Sequence, residues 1–206
     1  MAAWKVSDRV WICAGALCWI AKLEFFAAEY AAASAWPGYS LRDSTISMLG
    51  AQVSPHHAVM NAGLVLAGLL TIAGAVLTRK AWPEGWLAPV ALGLIVIAGL
   101  GTVGVGLFPV DGNETLHIAA TLTTFLPGGA GVIVLGETVY RTRPLFGAVT
   151  VLFGVTSLMG LLLFSAHLDF GLGRGGMERV TGYASTLWYV VAGTVLLFTT
   201  SRQAAG

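Results

Sequence analysis

Charge is what this chain has least of. Only 10% of its 206 residues are Asp, Glu, Lys or Arg, and the formal net charge is +1. A soluble domain carries about a quarter charged residues to keep its surface wetted, so an ordinary water-soluble globule is excluded. A nucleic-acid partner is excluded with it, because no basic face is left once the loops are assigned. Cysteine is nearly absent. Cys13 and Cys18 are the only two, both in the first apolar run. Five residues apart on one helix, they point in different directions and cannot bridge without distortion. They match no zinc spacing and read as small packing residues. No internal repeat, soluble domain or low-complexity tail interrupts the chain, so residues 1–206 read as a single membrane domain.

What the chain has is apolar length. Hydrophobic residues make up 56% of it and the mean hydropathy is +0.80. About 20 apolar residues suffice to cross the hydrocarbon core as a helix, and the sequence holds six such runs: Val10–Ala33, His57–Leu77, Trp86–Phe108, Leu116–Leu135, Leu145–Phe164 and Val180–Thr200. Backbone polar groups in lipid must be satisfied within the segment, so these runs are helices. The expected fold is all-α, a six-helix transmembrane bundle. Its N-terminus has the outline of a secretion signal ending at Ala31-Ala32-Ala33-Ser34-Ala35, but Lys22, Glu24 and Glu29 lie where a signal is uncharged. The segment is expected to be retained as a helix.

Punctuation supports the spans. Ser54-Pro55 offers a cap and a first-turn proline before the second. Asp111 and Glu114 suit a capping-box-like start to the fourth, and Pro144 precedes the fifth. Glycines 93, 99, 101, 104 and 106 in the third span allow close helix approach. Pro127-Gly128-Gly129 should kink the fourth. Just before it, Thr121, Thr123 and Thr124 either line a polar cavity or bond their own helix.

Orientation follows from the basic residues of the loops. Lys5, Arg9, Arg79, Lys80, Arg141, Arg143 and Arg202 fall on one side, and only Arg42, Arg174 and Arg179 on the other. Both termini are therefore expected in the cytoplasm, with the longer connections outside it. His56, His57, His117 and His167 all lie at span ends on that outer side, together with Asp43, Asp111, Glu114, Asp169 and Glu178.

Four groups there carry candidate chemistry. Lys22 and Glu29 lie two helical turns apart on one face, and ionisable groups at membrane depth need a partner or a water-filled cavity. The loop from Trp36 to Gly50 concentrates Tyr39, Ser40, Arg42, Asp43, Ser44, Thr45 and Ser47. This mixture also suits an interfacial turn whose polar groups cap local backbone. His57, His117 and His167, if their helix ends converge, would meet near Asp43 or Asp111. Three histidines with an open position suit a catalytic zinc that generates hydroxide, whereas separately they are interface residues bonded to loop carbonyls. Arg174, Glu178 and Arg179 begin the last helix, where the macrodipole explains Glu178; Arg179 either pairs with an acid or clamps a lipid phosphate.

Several segments also resemble, in order, the bacterial integral-membrane family known as domain of unknown function 998. They are Tyr39-Ser40 with Ile46-Ser47 and Leu49-Gly50; the stretch Ser54-Pro55-His56-His57-Ala58-Val59-Met60-Asn61-Ala62-Gly63; Gly106-Leu107-Phe108-Pro109-Val110-Asp111 followed by His117; and Gly176-Met177-Glu178-Arg179. The resemblance spans nearly the whole chain. His56 departs from it, since the family pattern has a single histidine that matches His57. The resemblance implies six helices in a bacterial plasma membrane and no agreed activity.

Two functions follow. The first is handling of a lipid, isoprenoid or other hydrophobic small molecule in a polar pocket at the outer face, with Tyr39, Ser40, Ser47 and Arg179 as binding residues and membrane lipids as surroundings. The second is a membrane-embedded enzyme. It would be a zinc-dependent hydrolase on His57, His117 and His167, a hydrolase using a Ser–His pair, or an acid catalyst of isoprenoid or lipid chemistry using Glu29 or Asp111; across these, Glu29, Asp43, Asp111 and His117 are the candidate catalytic residues. Haem ligation by His57 and His117 is a third arrangement compatible with their depth.

Overall fold

The computed structural model describes residues 4–205, which contain helices and no strand. The helices are α1 (Val6–Ala21), α2 (Glu24–Ser34), α3 (Ile46–Leu49), α4 (His57–Leu77), α5 (Leu87–Leu107), α6 (Glu114–Tyr140), α7 (Pro144–Ser165) and α8 (Gly173–Ala205). With α1 and α2 counted together as Val6–Ser34, six helices are long and apolar enough to cross a membrane. Each span packs against the next, and α8 returns to α1, closing a ring of six.

Three boundaries differ from the hydropathy reading, each for a local reason. The first span breaks at Lys22–Leu23, where the backbone tightens into i→i−3 bonds, Lys22 N–H to Trp19 O and Leu23 N–H to Ile20 O. The last helix begins at Gly173 instead of Val180, because Glu178 and Arg179 are satisfied inside the protein and need no water. The start of α6 is capped by Asn113, whose Oδ1 accepts from Leu116 N–H at 3.0 Å; the expected caps Asp111 and Glu114 do not fill that position. Ser54 likewise does not cap α4, which starts after His56. The Ser54 hydroxyl is buried without a partner. Pro144 does occupy the first turn of α7, and α6 runs through Pro127 without a break. Cys13 and Cys18 are free thiols.

Small residues set the spacing, as lipid supplies no hydrophobic force between helices. A Cβ on Gly101 would meet Thr124 N of α6 at 2.5 Å, and one on Gly106 would meet Asn61 O of α4 at 2.6 Å. The core divides in two. Near the termini, Trp19 is fully buried, with Trp188 at 5.4 Å, Tyr189 at 5.6 Å and Trp82 at 6.0 Å between ring centroids. At the opposite end Phe25, Ile46, Leu49, Met60 and Leu64 form a second cluster.

The two ends differ chemically. The termini end is tied by Lys80 to Asp8 at 2.7 Å, Arg9 to Gln203 O and Arg143 to Thr199. The other end gathers the segment between α2 and α4, the α5–α6 connection and the α7–α8 connection. His57 and His117 both open helices there.

Candidate functional site

The site is built where the short helix α3 is drawn into the bundle by α8. Glu178, in the second turn of α8, accepts from Ile46 N–H, from Ser47 N–H at 3.4 Å and from the Ser47 hydroxyl at 2.7 Å. From the other side His117, 5% exposed, places Nε2 3.1 Å from the same Ser47 oxygen. Its Nδ1 is 2.8 Å from Phe108 O. A carbonyl only accepts, so Nδ1 carries a proton and Nε2 is the atom that varies.

Counting protons shows what this chain of three groups can do. Ser47 has one hydroxyl hydrogen, while Glu178 Oε1 and His117 Nε2 both lie within bonding distance of it. Both contacts are hydrogen bonds only if the trio holds one more proton. Either His117 is an imidazolium donating to Ser47, which donates to a carboxylate, or Glu178 is an acid donating to Ser47, which donates to a neutral imidazole. These two states differ by the position of protons along one short chain, which is the design of a relay. A serine nucleophile is less well served, because the Ile46 and Ser47 N–H groups that would hold an oxyanion already bind Glu178.

A second network stands beside the first. Arg179 donates from Nε to Glu29 Oε1 at 2.8 Å, from Nη1 to Leu41 O, Ser44 O and Gly175 O, and from Nη2 to the Tyr39 hydroxyl at 2.7 Å. Tyr183 donates to Glu29 Oε2 at 2.9 Å, and Tyr39 donates to Thr45 O at 2.8 Å. Both oxygens of Glu29 are thus occupied by donors. Burial raises the pKa of the Tyr39 phenol, against the lowering effect of Arg179. This cluster clamps residues 39–45 onto α2 and α8. The arginine's donors are largely spent on protein, so the geometry is that of a clamp and leaves little for a lipid phosphate.

The expected three-histidine cluster is not assembled. Among the described residues no group of three or more His, Cys, Asp and Glu is placed to hold a metal ion. Each imidazole is engaged locally instead. His57 Nδ1 bonds Ser54 O at 2.9 Å, and His167, outside α7 with φ +58°, has Nδ1 2.6 Å from Arg174 Nη1. His117 has both ring nitrogens committed, which also leaves none for haem. Asp111 accepts from Gln52 N–H at 3.0 Å and Val53 N–H at 3.3 Å, tying two connections together on the exposed surface. Asp43 is exposed and bonds the Ser40 hydroxyl at 2.9 Å. Of the candidate residues, the structure joins His117 with Ser47, and Glu29 with Arg179 and Tyr39. Ser40, Asp43, Asp111, His57 and His167 stay apart from both networks.

Between the two ends lies a partly open cavity of about 80 Å³. Every span contributes except α7. Phe25, Ile46, Leu64, Val105 and Phe125 give it apolar walls, and Ser47 and Glu178 face it at one pole. Thr121 and Thr124 line it too, while Thr123 donates to Ala119 O at 2.8 Å within its own helix; Thr124 does both, donating to Ala120 O at 3.0 Å. The sequence reading gave Glu178 to the macrodipole and missed its contact with Ser47.

The family model described as "Protein of unknown function (DUF998)" matches residues 19–195, and the chain belongs to that family. No curated protein and no solved structure matches it.

Proposed function

We propose that this member of the DUF998 family binds a hydrophobic small molecule, lipid-like or isoprenoid-like, within the bundle, and that the Glu178–Ser47–His117 chain forms the polar pole of that binding site. The observation that carries the reading is the cavity itself: apolar walls, and a carboxyl and a hydroxyl facing inward where lipid alone would call for neither. Ionisable groups at membrane depth face a partner or a cavity, and here they face a cavity. The basic residues at the termini end support a cytoplasmic location for both termini and an outward-facing polar pole in a bacterial plasma membrane. Reporter fusions at the C-terminus test this.

Gly182 provides the test of binding. A Cβ there meets only Ile46 Cδ1, at 3.7 Å, so a leucine enters the cavity without striking backbone. Gly93 lies on the outer surface with nothing within 4 Å of its Cβ position. Labelling with a photoactivatable lipid should modify cavity-lining residues in the wild type and in Gly93→Leu, and should be lost in Gly182→Leu. Labelling confined to the outer surface, or unchanged in Gly182→Leu, defeats the reading.

A second reading, enzymatic, is favoured by the shared proton. Glu178 faces the cavity and His117 stands behind Ser47, so the chain is arranged to give a proton to a bound molecule and recover it. In acid-initiated isoprenoid chemistry one proton adds to a carbon–carbon double bond and another leaves the resulting cation. Lipid recovered from protein incubated in D2O would then carry deuterium at carbon, and Glu178→Gln would abolish the incorporation. Unlabelled lipid from the wild type would leave binding as the function.

A further inference from the structure

The cavity has a second pole, which the proton relay does not use. Lys22, at the break between α1 and α2, is 4% exposed and lines the cavity. Its ammonium donates to Thr71 Oγ1 at 2.7 Å and to Ala67 O at 3.1 Å, and it lies 4.8 Å from the centre of the Tyr189 ring. Thr71 gives its own hydrogen to Ala67 O at 2.9 Å, so it can only accept from the lysine. A carbonyl and a hydroxyl acceptor and an aromatic face all favour a cation there.

That cation is not in ion-pair contact: among the described residues no carboxylate lies within 4.0 Å of it. Glu24, two residues on, is the acid whose charge reaches it through space. Its Oε2 is the oxygen nearest a Cβ built on Gly63, at 3.4 Å, and its Oε1 is buried and unpaired. A charge without an ion-pair contact at membrane depth is costly, and this one, on Lys22, borders the cavity. Glu178 and Tyr189 are separated on α8 by about 16 Å of helix, so the two poles are well apart.

We infer that the Lys22 pole is an oxyanion subsite, which seats the carboxylate or phosphate of an amphiphilic acid whose hydrocarbon chain runs along the apolar walls toward Ser47. The inference rests on the cavity reading above and adds the ligand's charge and direction. Lys22 supplies the charge, and Thr71 and Tyr189 hold the ammonium in place. Carboxylate and phosphate share this chemistry; a fatty-acid-like ligand and a phospholipid or polyprenyl phosphate are its two sources.

Binding to full-length protein in a non-ionic detergent separates the outcomes, using lauric acid, dodecyl phosphate and dodecan-1-ol as probes of matched chain. The acid and the phosphate should bind at least about tenfold more tightly than the alcohol, the worth of a charge-assisted hydrogen bond. The preferred one of the two identifies the source. Lys22→Met should reduce both to the level of the alcohol. The wild-type ratio decides the matter even if that variant fails to fold. A head-group photoprobe adds a check without substitution, and should label residues around Thr71 in preference to Ser47. Equal binding of all three probes, all blocked by Gly182→Leu, overturns the oxyanion subsite and leaves the cavity reading standing. If none binds, or Gly182→Leu changes nothing, the cavity reading fails and this inference fails with it.

Discussion

Arg179 Nε lies 2.8 Å from Glu29 Oε1, and both side chains are under 10% exposed, at 8% and 4%. The pair joins the first span to the last and also holds the polar segment between α2 and α3 through Leu41 O and Ser44 O. Removing one partner leaves a buried charge alone. Arg179→Ala should therefore cost about 3–5 kcal/mol of stability. Glu29→Ala with Arg179→Ala together should cost less than the sum of the single changes. Arg179→Lys should not rescue, because an ammonium cannot span five acceptors in one plane. Thermal unfolding in detergent reads all four proteins, and additive losses would show that the pair does not act as a clamp.

Ser47 links Glu178 to His117, so Ser47→Ala should cost about 1–3 kcal/mol by leaving the imidazole nitrogen unpaired. Glu178→Gln should be milder. Its amide oxygen still accepts from backbone N–H, and its NH2 donates to Ser47, which then donates to a neutral imidazole. Infrared difference spectra should show a carboxyl band that Glu178→Gln removes and Ser47→Ala shifts. A band that ignores both changes would mean the trio shares no proton.

Tyr39 gives the protein an alkaline limit. Burial raises its pKa above the ordinary 10.0, so the unfolded chain loses the phenolic proton at lower pH than the folded one. Its contribution to stability is complete below about pH 10 and declines as the pH rises through the folded value. Tyr39→Phe should be less stable at neutral pH, having lost the bonds to Thr45 O and Arg179. It should also show a flatter stability profile between about pH 9 and pH 11. Parallel profiles would remove Tyr39 as the titrating group.

Gly74 accommodates the Trp19 indole so closely that any Cβ collides with the ring. Trp19 also donates to Thr71 O at 3.3 Å, in the turn that receives Lys22. Gly74→Ala should cost about 1–3 kcal/mol through overpacking and should alter tryptophan fluorescence. Unchanged stability and emission would mean that the aromatic cluster can shift at no cost.

How much of this was legible in the sequence depends on how far apart the partners lie. The six helices and their shared polar end follow from apolar length and charge placement, which are local properties. His117 was recognisable by its place at a helix start, and Glu29 as an acid inside a span. Glu178 was not, because the apolar run of the last helix begins at Val180 and leaves Arg179 outside it. Its contact with Ser47 crosses 131 residues, and no periodicity encodes that. The metal cluster failed for a related reason: helix ends on one side of a membrane share a depth, but Ser54 O, Phe108 O and Arg174 reach the imidazoles before the imidazoles reach each other. Lys22 was visible as a buried cation, and only the packing of α4 against the helix break shows that it faces empty space.

The closure of α8 onto α1 has a consequence for how the chain is made. Glu29 is synthesised 150 residues before Arg179, so the first span enters the bilayer carrying an acid whose counter-ion does not yet exist. Until the sixth span arrives that carboxyl must stay protonated, remain near water or borrow a partner. Ring completion is thus the step that makes the opening helix electrically tolerable in lipid. A nascent chain halted before Gly173 is left with a flaw at its beginning that only its end repairs.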